Sequence, residues 1–153
     1  MDISYKISAN DKNYRFNYRV AAIIESHGKI LINKVVKDDF CFLAGGRVQI
    51  GETAQNALAR ELKEELDIDV QISGLAFIVE NFFEYEGESF HEMGLFFKID
   101  GSGLTLPEDG EIRDDIQFFW REVTDVSDLN LKPEFLTKEL VNMSDLTQHF
   151  ITR

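Results

Sequence analysis

The stretch Gly45 to Ile68 (GGRVQIGETAQNALARELKEELDI), a glycine-bounded loop running into an acid-rich helix, limits what this chain can fold into more than any other. At roughly 100° per residue, Leu58, Leu62 and Leu66 form one stripe that must be buried. Glu61, Glu64 and Glu65 share the neighbouring face, because helix residues three and four apart are surface neighbours. Like charges at that spacing cost an isolated helix about 0.2–0.5 kcal/mol per pair. A cation over the patch would remove that cost. Mg²⁺ and Mn²⁺ suit it, since hard divalent ions prefer oxygen ligands. A solvated acidic face is the plainer reading of such a run, so spacing has to decide.

The spacing is Gly46, five residues, Glu52, seven residues, then Arg60, Glu61, Leu62, Lys63, Glu64, Glu65, Leu66, Asp67, Ile68. It resembles the signature of the Nudix hydrolases, G-x5-E-x7-R-E-U-x-E-E-x-G-U with U aliphatic, at eight of nine specified positions. The departure is Asp67 where the pattern has glycine, at a helix exit that often needs a left-handed backbone. The resemblance implies an α/β fold, the Nudix α/β/α sandwich, with a mixed sheet between helices and the catalytic loop-helix packed on one side. It implies Glu61, Glu64 and Glu65 as ligands of Mg²⁺ or Mn²⁺, with Glu61 also a candidate general base and the Gly45 carbonyl a further ligand. It implies that Glu52 and Arg60 brace the loop against the helix, with Glu52 sometimes reaching the metal. Many relatives are homodimers.

A chain of 153 residues has room for one domain and a proper core. With 44% apolar and 29% charged residues it has the composition of an ordinary soluble protein, and no run approaches a membrane span. The N-terminus has no basic start followed by an apolar run, and the one cysteine, Cys41, reads as a small buried packing residue; both observations suit the cytoplasm. A net charge of −12 argues against a nucleic-acid polymer as partner, because phosphate backbones need a positive surface. A small phosphorylated substrate fits an acidic protein only where metal and a few basic side chains neutralise it locally. Arg19, Arg47 and Arg60 are the candidates, with Arg60 structural first.

Residues 1–15 read as an edge strand or lead-in, Tyr18 to Glu25 and Lys29 to Val36 as strands around a His27-Gly28 turn, and Gly45-Gly46 as a sharp bend. Thr53 caps a helix from about Ala54 to Leu66. From Val70 to Ile99 the pattern is strand, with a hairpin near Glu86-Gly87-Glu88. A two-residue loop there sets Phe83 opposite Phe90 and Asn81 opposite Glu92, placing an amide and a carboxylate on an aromatic face as in a ligand pocket. A three-residue loop would flip the parity and bring in Glu80 and His91 instead. Residues 101–115 read as a long acidic loop, a candidate lid; its Glu111, Asp114 and Asp115 are candidates for a further metal carboxylate. Ile116 to Glu122 reads as a strand, Pro133 to Met143 as a helix with proline in its first turn, and His149 as an exposed tail residue.

The expected activity is metal-dependent hydrolysis of the pyrophosphate bond in a nucleoside diphosphate linked to another moiety, such as ADP-ribose or a nucleotide sugar. Arg47, Arg19, Asn81, Glu92 and Phe83 are the expected substrate contacts. A nucleoside triphosphate, including an oxidised one, is the alternative substrate. A non-catalytic nucleotide-sugar sensor ranks below both, since this chain keeps all three helix carboxylates.

Overall fold

The alternation of apolar and polar residues produces one nine-stranded mixed sheet. The computed structural model describes residues 5–9 and 12–153, with side chains from Tyr14 onward. The elements are β1 (Tyr5–Ala9), β2 (Lys12–Ser26), β3 (Lys29–Val35), β4 (Gly45–Arg47), α1 (Ala54–Leu66), β5 (Ile72–Tyr85), β6 (Glu88–Asp100), β7 (Ile112–Arg113), β8 (Ile116–Glu122), α2 (Leu136–Glu139) and β9 (Gln148–Thr152). The strand order is β7-β8-β3-β2-β6-β5-β9, with β1 and β4 also paired to β2. β2 and β6 run parallel, as do β5 and β9. Because successive strand residues point to opposite faces, β2 serves two cores. Val20, Ala22 and Ile24 meet Ala57, Leu58, Leu62 and Leu66 of α1, which is the leucine stripe read from the sequence. Ile23 meets Phe77, Phe96, Val126, Leu136 and Leu140 on the other face. The mixed sheet is therefore covered on both sides, in agreement with the expected α/β sandwich. Among the described residues no helix is long and apolar enough to cross a membrane.

Several local expectations need correcting. The strand read as Tyr18 to Glu25 begins at Lys12 and pairs antiparallel with β1, so the edge strand expected in residues 1–15 is partly realised; residues 1–4, 10 and 11 lie outside the described residues. The helix expected over 133–143 is only Leu136–Glu139, entered through i→i+3 bonds at Leu136, Thr137 and Lys138. Packing outweighs propensity there, since the Phe135 ring sits against Phe77, Phe96 and Phe150. His149 is exposed but lies in β9, bonded to Glu80 at 2.9 Å. Residues 101–115 are fastened to β8: Trp120 Nε1–H donates to the Pro107 carbonyl at 2.9 Å, and Gly110 N–H to that of Phe118 at 2.8 Å. Cys41 is buried, and burial pushes its thiol pKa up, as befits a packing residue.

Candidate active site

The loop-helix is built from its caps inward. Thr53 Oγ1 accepts the Asn56 N–H at 3.2 Å and starts α1. Asp67 ends it at φ 54°, ψ 40°, donating its N–H to the Lys63 carbonyl, so aspartate does occupy the left-handed position where the motif has glycine. Its carboxylate lies 2.9 Å from Lys63 Nζ, an exposed pair that offsets little of the backbone cost. Asp67→Gly should raise the melting temperature, since the relief of left-handed strain exceeds the lost surface ion pair. Thermal unfolding checks this; a lower melting temperature would show that the Lys63 pair dominates.

Arg60 is the knot of the loop. Its Nε and Nη2 donate to the two oxygens of Glu52 at 2.9 and 3.0 Å, Nη2 also reaches the Arg47 carbonyl at 3.1 Å, and Nη1 donates to Glu61 at 2.7 Å. Glu52 also accepts the Gln49 N–H at 3.0 Å, closing the turn ahead of the helix. Such two-pronged charge-assisted bonding fixes direction as well as distance. It holds the Glu52 carboxyl below its usual range and raises the guanidinium pKa, the Arg60–Glu52 hydrogen bond being the first cause of each. Glu52 thus contributes stability that is present above its ordinary pKa, roughly 4.3, and fades as pH falls through the lowered folded value. Arg60→Ala should cost about 2 kcal/mol, because it strips charged bonds from a mostly shielded carboxylate. Urea unfolding measures the loss, which should shrink on acidification; a cost under about 0.5 kcal/mol, the range of an exposed pair, would contradict the bracing role.

The three helix glutamates stand in different settings. Glu61 lies over Gly46, so closely that a Cβ at that position would fall on its carboxylate. Glu64 is 3.6 Å from Arg60 Nη1 and otherwise solvated, with 61% of its side chain exposed. Glu65 accepts the Gly45 N–H, and its carboxyl is pushed up to about 7, first by desolvation at the crowded junction and then by the charge of Glu61. The Glu65 side chain is exposed, so solvent screens much of that shift. Glu64 raises it further and Arg19 lowers it. As the side chains stand, with Glu61 turned onto Arg60, no three of the His, Cys, Asp and Glu side chains among the described residues converge as a metal cage. The donor set nonetheless fits a hard divalent ion in its chemistry: the carboxylate oxygens of Glu61, Glu64 and Glu65 share one helix face beside the backbone of Gly45 and Gly46.

The remaining predicted residues fall into place on the sheet. Arg19 and Arg47 are cross-strand partners. The β5-β6 turn is the two-residue loop Glu86-Gly87, so Asn81 pairs with Glu92 and Phe83 with Phe90, the last two rings stacked at 4.9 Å. Burial raises the Glu92 pKa, against the lowering by Arg19, Asn17, Asn81 and Arg47. Glu80 and His91 belong to the opposite parity, where His91 stacks on Phe82. Glu111 is engaged by Arg113 at 2.6 Å, and Asp114 and Asp115 form the β7-β8 turn; no bond ties these three to the helix carboxylates. Sequence reasoning missed Asn17 and Thr152. Asn17 pairs with Glu92, and Thr152 donates its hydroxyl to Asn81 Oδ1. The Arg15, Asn17, Arg19 alternation carried a signal for the first; nothing local marked the second.

Comparison with known proteins gives a consistent picture. A model of the NUDIX domain matches residues 14–141. A stretch of 57 residues is 46% identical to the CTP pyrophosphohydrolase of Escherichia coli K12, covering 35% of this chain and 42% of that protein. The match therefore spans less than half of that relative's length. The solution structure of the E. coli ORF135 protein superposes with a TM-score of 0.59 at 27% identity, over 84% of this chain and 88% of that one. A MutT protein from Bacillus halodurans gives a TM-score of 0.69 at 20% identity, over 88% and 90%, a likeness of fold.

Proposed function

The chain belongs to the NUDIX domain family, and from that membership we propose that it is a divalent-metal-dependent pyrophosphohydrolase acting on a small nucleotide. The observation that carries the reading is the crowding of Glu61, Glu64 and Glu65 on one face of α1, beside a loop held in place by Arg60. Glu61, Glu64, Glu65 and the Gly45 carbonyl would hold Mg²⁺ or Mn²⁺. When bound, such ions lower the pKa of water and relieve charge on the phosphate oxygens. The protein's own part is positional. Arg60 orients Glu61 and the backbone at Arg47, Gly45 orients Glu65, and Arg19 with Arg47 supplies positive charge for phosphate beside the acidic face. Glu61 is the first choice for the base that takes the proton of the attacking water.

For the substrate, we place a nucleoside triphosphate, with release of pyrophosphate, ahead of the diphosphate-linked compounds expected from the sequence. The stretch similar to a CTP pyrophosphohydrolase supports that order. The test is a turnover panel of nucleoside triphosphates, ADP-ribose and nucleotide sugars with Mg²⁺ or Mn²⁺, analysing the phosphorylated products. Metal-dependent release of nucleoside monophosphate and pyrophosphate from a triphosphate is the expected result. Hydrolysis of the linked diphosphates alone would reverse the substrate order, and silence across the panel would remove the hydrolase reading.

A further inference from the structure

A polar rung crosses four strands of the sheet on the side away from α1. Asn17 of β2 pairs in register with Glu92 of β6, Glu92 with Asn81 of β5, and Asn81 with Thr152 of β9. One step along, Phe83 and Phe90 lie stacked with their planes 2° apart. One step the other way, Gly94 presents no side chain between Arg19 and Val79, and Arg19 leads on to Arg47 and Glu65. The rung thus lies between the stacked Phe83 and Phe90 rings and Arg19, whose charge reaches Glu65 of α1.

Its hydrogen-bonding directions are set by its own partners. Thr152 donates to Asn81 Oδ1, so the Asn81 amide turns its Nδ2 to Glu92. Asn17 also donates Nδ2 to Glu92, which leaves Asn17 Oδ1 without a partner in a residue only 3% exposed. A carboxylate can accept about four hydrogen bonds, and two are filled here. With Glu92 ionised, as the Asn17 and Asn81 donors and the charges of Arg19 and Arg47 favour, the capacity left over is all acceptor. We infer that the half-buried Glu92, held by Asn17 and Asn81, receives the exocyclic amine of the nucleobase, so that the site takes amino-bearing bases in preference to their carbonyl counterparts. A carbonyl in that place sets oxygen against oxygen and leaves the acceptors unmet. The inference rests on the nucleotide-substrate reading and names which nucleotides.

Equilibrium binding to the full chain, without metal and hence without turnover, tests it with two matched pairs: CMP against UMP and AMP against IMP. The wild type should favour the amine in at least one pair by about tenfold or more, and the responding pair reports the ring size. Glu92→Gln, which replaces one acceptor oxygen by a donor of the same shape, should reduce that preference to under about twofold. Equal binding within both pairs, a preference for the carbonyl member, binding of none of the four at millimolar concentration, or a variant that keeps the full preference would overturn the assignment. The wild-type comparison decides alone should the variant fail to fold. Amine preference with a silent turnover panel would remove the hydrolase reading only. Metal-dependent turnover with equal binding would remove the base assignment only.

Discussion

Glu64→Gln should lower turnover at least about a hundredfold while leaving the fold intact. The substitution keeps shape and removes one charge from the acidic face, and losing a properly held metal costs several kcal/mol of transition-state stabilisation. Stability should barely move, because the Glu64 side chain is 61% exposed and Arg60, at 3.6 Å, is bonded more closely to Glu52 and Glu61. Steady-state kinetics and urea unfolding on the same preparation separate the two effects. An unchanged rate would take Glu64 out of the site.

Gly46→Ala should abolish most activity for a different reason. The new methyl group would occupy the space of the Glu61 carboxylate. That group ends a flexible side chain, so it can swing away at small cost to folding, but it then leaves Arg60 and the position facing the loop. A turnover loss of about a hundredfold or more with a melting temperature near the wild type is the expected pair of results. Gly45→Ala makes the contrast, since there the methyl group meets the Val20 carbonyl of β2, a backbone atom that cannot step aside. That variant should lose stability first. If Gly46→Ala retained full turnover, the position of Glu61 over the glycine would have no bearing on catalysis.

How much of this was legible in the sequence depends on how local the determinants are. The helix Ala54–Leu66, its Thr53 cap and the demand for a left-handed exit at Asp67 follow from residues within one turn, whereas the Arg60–Glu52 brace is implied by the family resemblance and not by the local pattern. The pairing of Asn81 with Glu92 followed from the two-residue turn alone, because strand parity does not slip once the turn is set. Non-local pairing was harder to read. β9 forms where the C-terminal segment adds to the edge of β5, and five residues of mixed polarity announce no such partner. Phe135 draws residues 133–143 away from helix into the aromatic core. Asn17 acquires its meaning only from Glu92, which lies 75 positions away in sequence and beside it in the sheet. The parallel pairing of β2 with β6 sets the rung beside Arg19, and the β2–β4 pairing adds Arg47.

The most direct test is anomalous diffraction from crystals of the protein soaked in Mn²⁺. A manganese peak coordinated by carboxylate oxygens of Glu61, Glu64 and Glu65, and absent from crystals of the Glu64→Gln variant, is the predicted result. A helix face with no manganese on it, its carboxylates pointing into bulk solvent, would contradict the proposed metal centre.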